Sequence, residues 1–407
     1  MRAVCLAALL VVVTACSQAP TIPPTTAPAG ATTSAPAAQP ATPPATSAPA
    51  APAATTPPAA AGTTAPASAA TMAPAAKPAA EPAPLVLTQP LPPLDPPLTV
   101  KARVGSSLTT APFWYAIEKG YFQQLGLKFE TVEIANSGDV VSPLTQGQID
   151  VAGTSFGAGL YNAVQRDIQV KAVADNGQLA EKVPGAAAVV KKGQAAAYGS
   201  DWCALKGKRV AVVSKSTGLY PTLVKALASC NLSPNDVQLV ELGFPETNVA
   251  IAQGSVDVGF QVEPFVSRGI ADGTLDLWKP LDEAFKGQQM NLVLYSPQFL
   301  KNRDAGLRFM VAYLAGARDY RRAIEGKGNR EEMDQILAKY LPVKDPKAYE
   351  GMIMMGIDPN GEIDLPSVQE SIKIFQENGT VAPGPVELTW VADELRQQAL
   401  QLLGPYK

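Results

Sequence analysis

A six-residue motif occurs twice in this chain. Gln146-Gly147-Gln148-Ile149-Asp150-Val151 returns about a hundred residues later as Gln253-Gly254-Ser255-Val256-Asp257-Val258. In each copy a helical stretch ends on Gly, the residue best suited to a left-handed C-cap, and a short apolar strand follows at once. Each copy also lies about 50 residues downstream of another apolar strand, 98–104 for the first and 209–213 for the second. That interval holds a strand, a helix, a strand and a helix. Two similar α/β lobes in one chain imply a cleft between them.

The first residues bear on the compartment. Met1-Arg2 supplies a positive charge, 3–13 is an apolar run, and Val13-Thr14-Ala15-Cys16 closes it with small residues. The run is shorter than the roughly 20 apolar residues that span a bilayer, so 1–15 reads as a signal peptide. Val-Thr-Ala-Cys also resembles a bacterial lipobox, which implies cleavage before Cys16, lipid on its thiol, and anchoring to the extracytoplasmic face of the cell membrane. An ordinary signal peptide with an incidental Cys is the alternative. From 16 to 97 the composition turns to Ala, Pro and Thr, with Lys77 and Glu81 the only charges before Asp95. Such a stretch has too little apolar surface to bury a core, and its prolines favour extended backbone, so a disordered linker is expected.

Some 310 residues remain, a length suited to two domains or one two-lobed domain. The net charge of −3 and the lack of a basic cluster argue against nucleic acid as a partner. Of four cysteines, Cys5 leaves with the signal and Cys16 is the lipidation candidate. Cys203 and Cys230 remain in an oxidising compartment, at the adjacent ends of a strand and the helix running back beside it. A disulfide between them is one reading and two reduced thiols the other.

There is no histidine. That removes Ser-His-Asp and Cys-His catalysis, His-based zinc helices and the commonest general base near neutral pH. The pairs Asp282/Glu283 and Glu331/Glu332 read as solvated charges. The Gly-rich run 153–159 lacks dinucleotide-fingerprint spacing, and 358–364 reads as a turn before a helix starting at Pro366 rather than a calcium loop. No catalytic residue, metal site or cofactor is expected.

What recurs is a polar loop after each strand. Residues 98–104 lead to Ser106 through Thr110, 127–133 to Asn136, 149–152 to Thr154-Ser155, 209–213 to Ser214 through Gly218, and 256–260 to Gln261-Val262-Glu263-Pro264. In open parallel sheets ligands bind outside the carboxyl ends of the strands, where helix N-termini present backbone N–H groups. Ser, Thr and Asn are also ordinary caps and turn formers. As a set, these loops suit a shared polar rim.

Ala111-Pro112-Phe113-Trp114-Tyr115-Ala116-Ile117-Glu118-Lys119-Gly120-Tyr121-Phe122, Leu205-Lys206-Gly207-Lys208-Arg209-Val210-Ala211-Val212 and Glu263-Pro264-Phe265 resemble one family. So do Asn360-Gly361-Glu362-Ile363-Asp364-Leu365 and Phe375-Gln376-Glu377-Asn378-Gly379. It comprises the nitrate/sulfonate/taurine and thiamine-pyrimidine-precursor binding proteins of ABC importers, and riboflavin binders resemble it too. The resemblance implies an α/β, two-lobed type II periplasmic-binding-protein fold, each lobe a mainly parallel sheet flanked by helices. Lobe 1 would be 98–184 plus 296–407. Residues 185–295 would hold lobe 2 with the hinge crossings, placed near 186–191 and 292–295. It further implies a monomer that closes on a small molecule and presents it to permease and ATPase subunits. A ligand-binding sensory lipoprotein and a thiamine-precursor enzyme are the alternatives; enzymes of that kind rely on histidine.

Carried over by position, the ligand rim is Ser106, Thr109, Trp114, Asn136, Thr154, Ser155, Ser214, Ser216, Thr217 and Glu263. Trp114 is expected either to stack on a planar ligand or to pack its lobe. Lys215 and Arg268 are the cations available to an anion, with surface exposure the alternative. A cleft-facing Glu263 would favour a ligand bearing N–H or O–H donors, such as a heteroaromatic; a structurally engaged Glu263 would remove that preference.

Overall fold

The computed structural model describes residues 84–134, 137–166 and 168–407. The expected signal peptide, Cys16, most of the linker and Asn136 lie outside them. Among the described residues ten strands form two five-stranded sheets: β1 (Leu98–Arg103), β2 (Leu127–Thr131), β3 (Val151–Ser155), β4 (Lys171–Asp175), β5 (Ala186–Lys191), β6 (Arg209–Val212), β7 (Gln238–Glu241), β8 (Val258–Val262), β9 (Leu275–Pro280) and β10 (Asn291–Tyr295). The first sheet runs β2-β1-β3-β10-β4 and the second β7-β6-β8-β5-β9. In each, the first three are parallel, and one strand, β10 or β5, runs antiparallel to both its neighbours.

The repeat sets matching corners of these sheets. Gly147 and Gly254 take φ of 71° and 77°, a left-handed turn that a side chain strains. The two residues after each Gly return their N–H groups to one carbonyl of the preceding helix, Pro143 O in the first lobe and Ala250 O in the second. The chain then enters β3 or β8.

The crossings between sheets are not where the sequence placed them. Ala186–Lys191 is β5, held between β8 and β9, and 292–295 lies in β10, held between β3 and β4. Both are apolar runs buried on two faces, as central strands are. The chain crosses instead through 176–185 and 281–290, the stretches between β4 and β5 and between β9 and β10.

Residues 84–97, expected as the end of the linker, belong to the folded body. Leu85, Leu87, Leu91 and Leu94 pack on the core of the first sheet. Thr88 N–H donates to Leu402 O at 2.7 Å, and Leu85 N–H to Gln124 Oε1 at 2.8 Å. The strap lies directly over Gly126, where a Cβ would come within 2.2 Å of Leu94 N. Four leucines spaced through this segment supply the apolar surface that the Ala/Pro/Thr stretch before it lacks.

The C-terminal portion packs mainly on the first sheet. The helix Arg303–Ile324 buries Phe309, Met310, Val311 and Tyr313 among residues of β1, β4 and β10. Asp358 Oδ1 accepts from Asn360 N and Glu362 N, and Asp364 caps the helix Leu365–Glu377, so 358–364 is a turn. Among the described residues no helix is long and apolar enough to cross a membrane.

Candidate functional site

A cavity of about 290 Å³ lies between the carboxyl edges of the two sheets. The loop after β1 contributes Ser107, Leu108 and Thr109; the end of β3 contributes Ser155 and Phe156. The second lobe supplies Val213, Thr217, Gly218 and Leu219 after β6, Phe244 after β7, and Val262 and Glu263 at the end of β8. Gly185 and Met290 come from the crossings, Asn291 from the start of β10, and Met355 from the C-terminal portion. A smaller chamber of about 190 Å³ adjoins it, sharing Ser155, Phe156 and Thr217 and adding Thr154, Ser216 and Gly157.

The expected rim residues therefore divide. Thr109, Ser155, Thr217 and Glu263 line the main cavity; Thr154 and Ser216 line the side chamber. Ser106 is exposed and lines neither. Ser214 lies in the turn beneath, its Oγ accepting the Ser216 N–H and 3.0 Å from Ser216 Oγ. Trp114 packs its own lobe: its ring stacks on Tyr340 at 4.2 Å between centroids, and its Nε1–H donates to Thr110 Oγ1 at 2.9 Å. Helical spacing from the loop turns it away from the cavity. Lys215 and Arg268 line neither cavity, and exposed Arg268 faces Asp272.

Sequence reasoning missed Ser107, Phe244, Met290, Asn291 and Met355. Ser107 adjoins the expected Ser106, and its Oγ lies 2.8 Å from Thr109 Oγ1, so the error is one residue. Asn291 opens β10, just before the stretch expected as a hinge; its Nδ2 donates to Ser155 Oγ at 3.3 Å. Met355 belongs to Met352-Ile353-Met354-Met355, a segment with no local signal that it would reach the cleft.

Glu263 is buried, and its carboxylate is already engaged. Oε2 accepts the Ser267 N–H at 3.0 Å, while Oε1 accepts the Ser267 hydroxyl at 2.8 Å and the Ile353 N–H at 3.0 Å. Burial raises its pKa, and these donors pull it back. Glu263 therefore both lines the cavity and is engaged structurally, and that engagement takes up most of the acceptor capacity on which a preference for a donor-bearing ligand depends. Ile353 packs on the second lobe's core while its neighbours Met352 and Met354 pack on the first lobe's, so Glu263 grips a segment that runs along the lobe boundary.

On the other side the lobes touch through backbone. Ala158 N–H donates to Ser216 O at 2.9 Å, and a Cβ on Gly157 would lie 2.6 Å from that oxygen. Asn378 Nδ2 donates to Lys215 O at 2.9 Å. The Gly-rich run 153–159 thus has a use: Gly157 lets two loops meet. The two lobes are thus in contact on both sides of the cavity.

The crossings share one buried polar node. Asp175, at the end of β4, accepts from Gly177 N at 2.8 Å, Asp358 N at 2.7 Å and Gln289 Nε2 at 2.6 Å. Complete burial pushes its pKa up to about 7 despite these donors. Gln289 also donates from its backbone to Ser367 Oγ, so both crossings are tied to the turn at 358–364 and the helix after it. Cys203 and Cys230 are joined, with Cα atoms 5.2 Å apart. Among the described residues no group of His, Cys, Asp or Glu is arranged to hold a metal ion.

Two sheets of matching strand order, two crossings and a cavity at their facing edges define the two-lobed periplasmic-binding-protein fold. Solved structures of like form include a ligand-binding component of an ABC-type import system from Staphylococcus aureus, solved with zinc bound (TM-score 0.58, 16% identity, 75% of this chain and 99% of that one). Another is the periplasmic aliphatic sulphonate binding protein SsuA of Escherichia coli (TM-score 0.55, 18% identity, 72% of this chain and 96% of that one). The NMT1/THI5 like family model matches residues 108–322, more than half of the chain, and the chain belongs to that family. A relative from Brachyspira hyodysenteriae, named a putative ABC transporter periplasmic binding protein, is 28% identical over 229 residues. That match spans 51% of this chain and 65% of the relative.

Proposed function

We propose that this protein is the extracytoplasmic substrate-binding component of an ABC importer, capturing a small molecule between its lobes and presenting it to a permease. The observation that carries the reading is the cavity at the facing carboxyl edges of two sheets joined by two crossings. Closing such lobes over a ligand is a population shift that a membrane partner senses as a change of surface. The family supports it, as do the names of the relative and of both structural neighbours. Capture rather than turnover fits a chain with no histidine and a cavity in which Glu263 is held by three donors.

Lipid on Cys16 would tether the protein to the cell membrane, with the Ala/Pro/Thr-rich linker giving it reach, and it would act as a monomer. Cys16→Ser should move the protein from the membrane fraction to the soluble one, and continued membrane association would remove the tether. For capture itself, deletion of the gene should abolish uptake of one solute that also raises the purified protein's Tm. A screen spanning pyrimidines, flavins, sulfonates, taurine, nitrate and uncharged organic molecules that found no stabilising solute, together with normal uptake in the deletion strain, would sink the receptor reading.

A further inference from the structure

Accepting the receptor reading, on which this inference rests, we propose that the cavity selects an uncharged ligand with a mainly apolar body rather than a sulfonate, nitrate or other ion. Its wall is largely hydrocarbon and thioether: Phe156, Leu219, Phe244 and Val262, with Met290 and Met355. Methionine sulfur packs well against ring edges and adapts its shape, a surface suited to an apolar ring system. The volume of about 290 Å³ sits near the lower edge of small-molecule pockets, roughly 300–1,000 Å³.

Charge decides between ligand classes. Among the described lining residues no Lys or Arg appears, and Glu263 is the one charged side chain. An anion entering this wall would be stripped of water beside a carboxylate with no cation to balance it. A cation would have to share a carboxylate that already accepts three hydrogen bonds, two of them from Ser267. The side chains that remain for polar recognition are few: the Ser107–Thr109 hydroxyl pair, Thr217, whose hydroxyl donates to Ser214 O, and the Asn291 amide. Those groups suit a single carbonyl, ether or hydroxyl on the ligand and leave an ion's first shell unsatisfied.

The test is calorimetric titration of the full chain with probes of like size: cyclohexanone, acetophenone and indole as neutral arms, benzenesulfonate as anion, benzylamine as cation, and nitrate. The proposal expects a neutral probe to bind at least tenfold more tightly than every charged one. A charged probe that matches or exceeds the neutral arms overturns the ligand class while leaving the receptor reading intact. Absence of binding by all neutral probes also overturns the class; the receptor reading then stands or falls on uptake and the wider stabilisation screen. Val213→Lys, at the half-buried rim, should weaken neutral probes at least tenfold and admit benzenesulfonate. Should that variant fail to fold, Val213→Gln, which adds polarity without charge, should weaken neutral probes severalfold and leave benzenesulfonate excluded. Gain of benzenesulfonate binding by the Gln variant would count against charge exclusion.

Discussion

In the first lobe Asp150 gives its N–H to Lys101 O and accepts the Lys101 N–H, both at 2.8 Å; in the second, Asp257 does the same with Arg209, at 2.9 and 2.8 Å. The two repeats therefore do one backbone job, pinning β1 in the first sheet and β6 in the second. Their surroundings differ. The Arg209 guanidinium reaches back to Asp257 through both Nε and Nη2, at 3.0 and 2.7 Å, and holds its carboxyl below the usual range. Lys101 is exposed, and burial pushes Asp150 up. The same motif carries opposite electrostatics because the neighbouring strand supplies a different cation.

The cavity follows the same register in both lobes. Counting from the last residue of each repeat, Ser155 and Phe156 in the first lobe stand where Val262 and Glu263 stand in the second, and all four line the cavity. The scaffold is repeated and its lining is not. One lobe offers a hydroxyl and a ring, the other an isopropyl group and a carboxylate turned to structural use.

The lobes are also fastened differently, and the largest expected effect comes from that contrast. Where the first crossing begins, at the end of β4, Asp175 is a fully buried carboxylate with its pKa raised to about 7 by burial, and the second crossing meets it with the neutral Gln289. A raised native pKa means the folded state binds the proton more tightly. The contribution is full below the ordinary carboxylate value and is lost as pH rises through about 7. Stability measured by urea unfolding should therefore fall between about pH 4 and 7, by on the order of 4 kcal/mol at most. Asp175→Asn should flatten that slope, and an unchanged slope would show that Asp175 does not titrate there.

Next is the disulfide, which the second lobe has and which the first lobe lacks among the described residues. Closing a loop across a separation of 27 residues is worth about 3.5 kcal/mol in the chain-entropy account. The Cys203→Ser/Cys230→Ser protein should lose that much in denaturant unfolding; a loss under about 1 kcal/mol would mean the packing around the bond suffices.

Smaller effects separate the two contacts across the cleft. Gly157→Val, which places carbon against Ser216 O, should prop the lobes apart and weaken a bound ligand at least tenfold with little change in Tm of the unliganded protein. Unaltered affinity would mean that closure does not need this contact. Glu263→Gln keeps the shape but presents an N–H₂ to existing donors. It should weaken every ligand by a similar factor, about 1–2 kcal/mol, whatever the ligand's charge. A loss confined to amine-bearing ligands would restore Glu263 as a reader. Smallest is the repeat pair. Asp257→Asn should cost about 1–2 kcal/mol at pH 7 and Asp150→Asn less, because Asp257 receives hydrogen bonds from its cation's side chain and Asp150 receives only the Lys101 backbone N–H. The Asp257 contribution is present above the ordinary carboxylate pKa and fades as pH falls through its lowered value; equal costs for the two variants would erase the contrast.

Much was legible in residue order. The repeat, its glycines and the strand spacing specified two α/β lobes, because left-handed caps and apolar runs are local properties. Family-like segments pointed to the two-lobed fold, and the position just after each repeat marked cavity-lining residues such as Ser155 and Glu263. Other features depended on which surfaces meet. Apolar runs at 186–191 and 292–295 do not say whether they are crossings or central strands, since both are short and buried; pairing on both sides decides. Trp114 reads equally as a ligand platform or as packing until Tyr340, more than two hundred residues away, takes its face. The role of Glu263 turned on the Ile353 N–H, ninety residues distant. Local sequence determined where strands end and loops begin; only long-range contacts decided how much polar capacity was left for a ligand, because a proton or lone pair already committed inside the protein is not available to one.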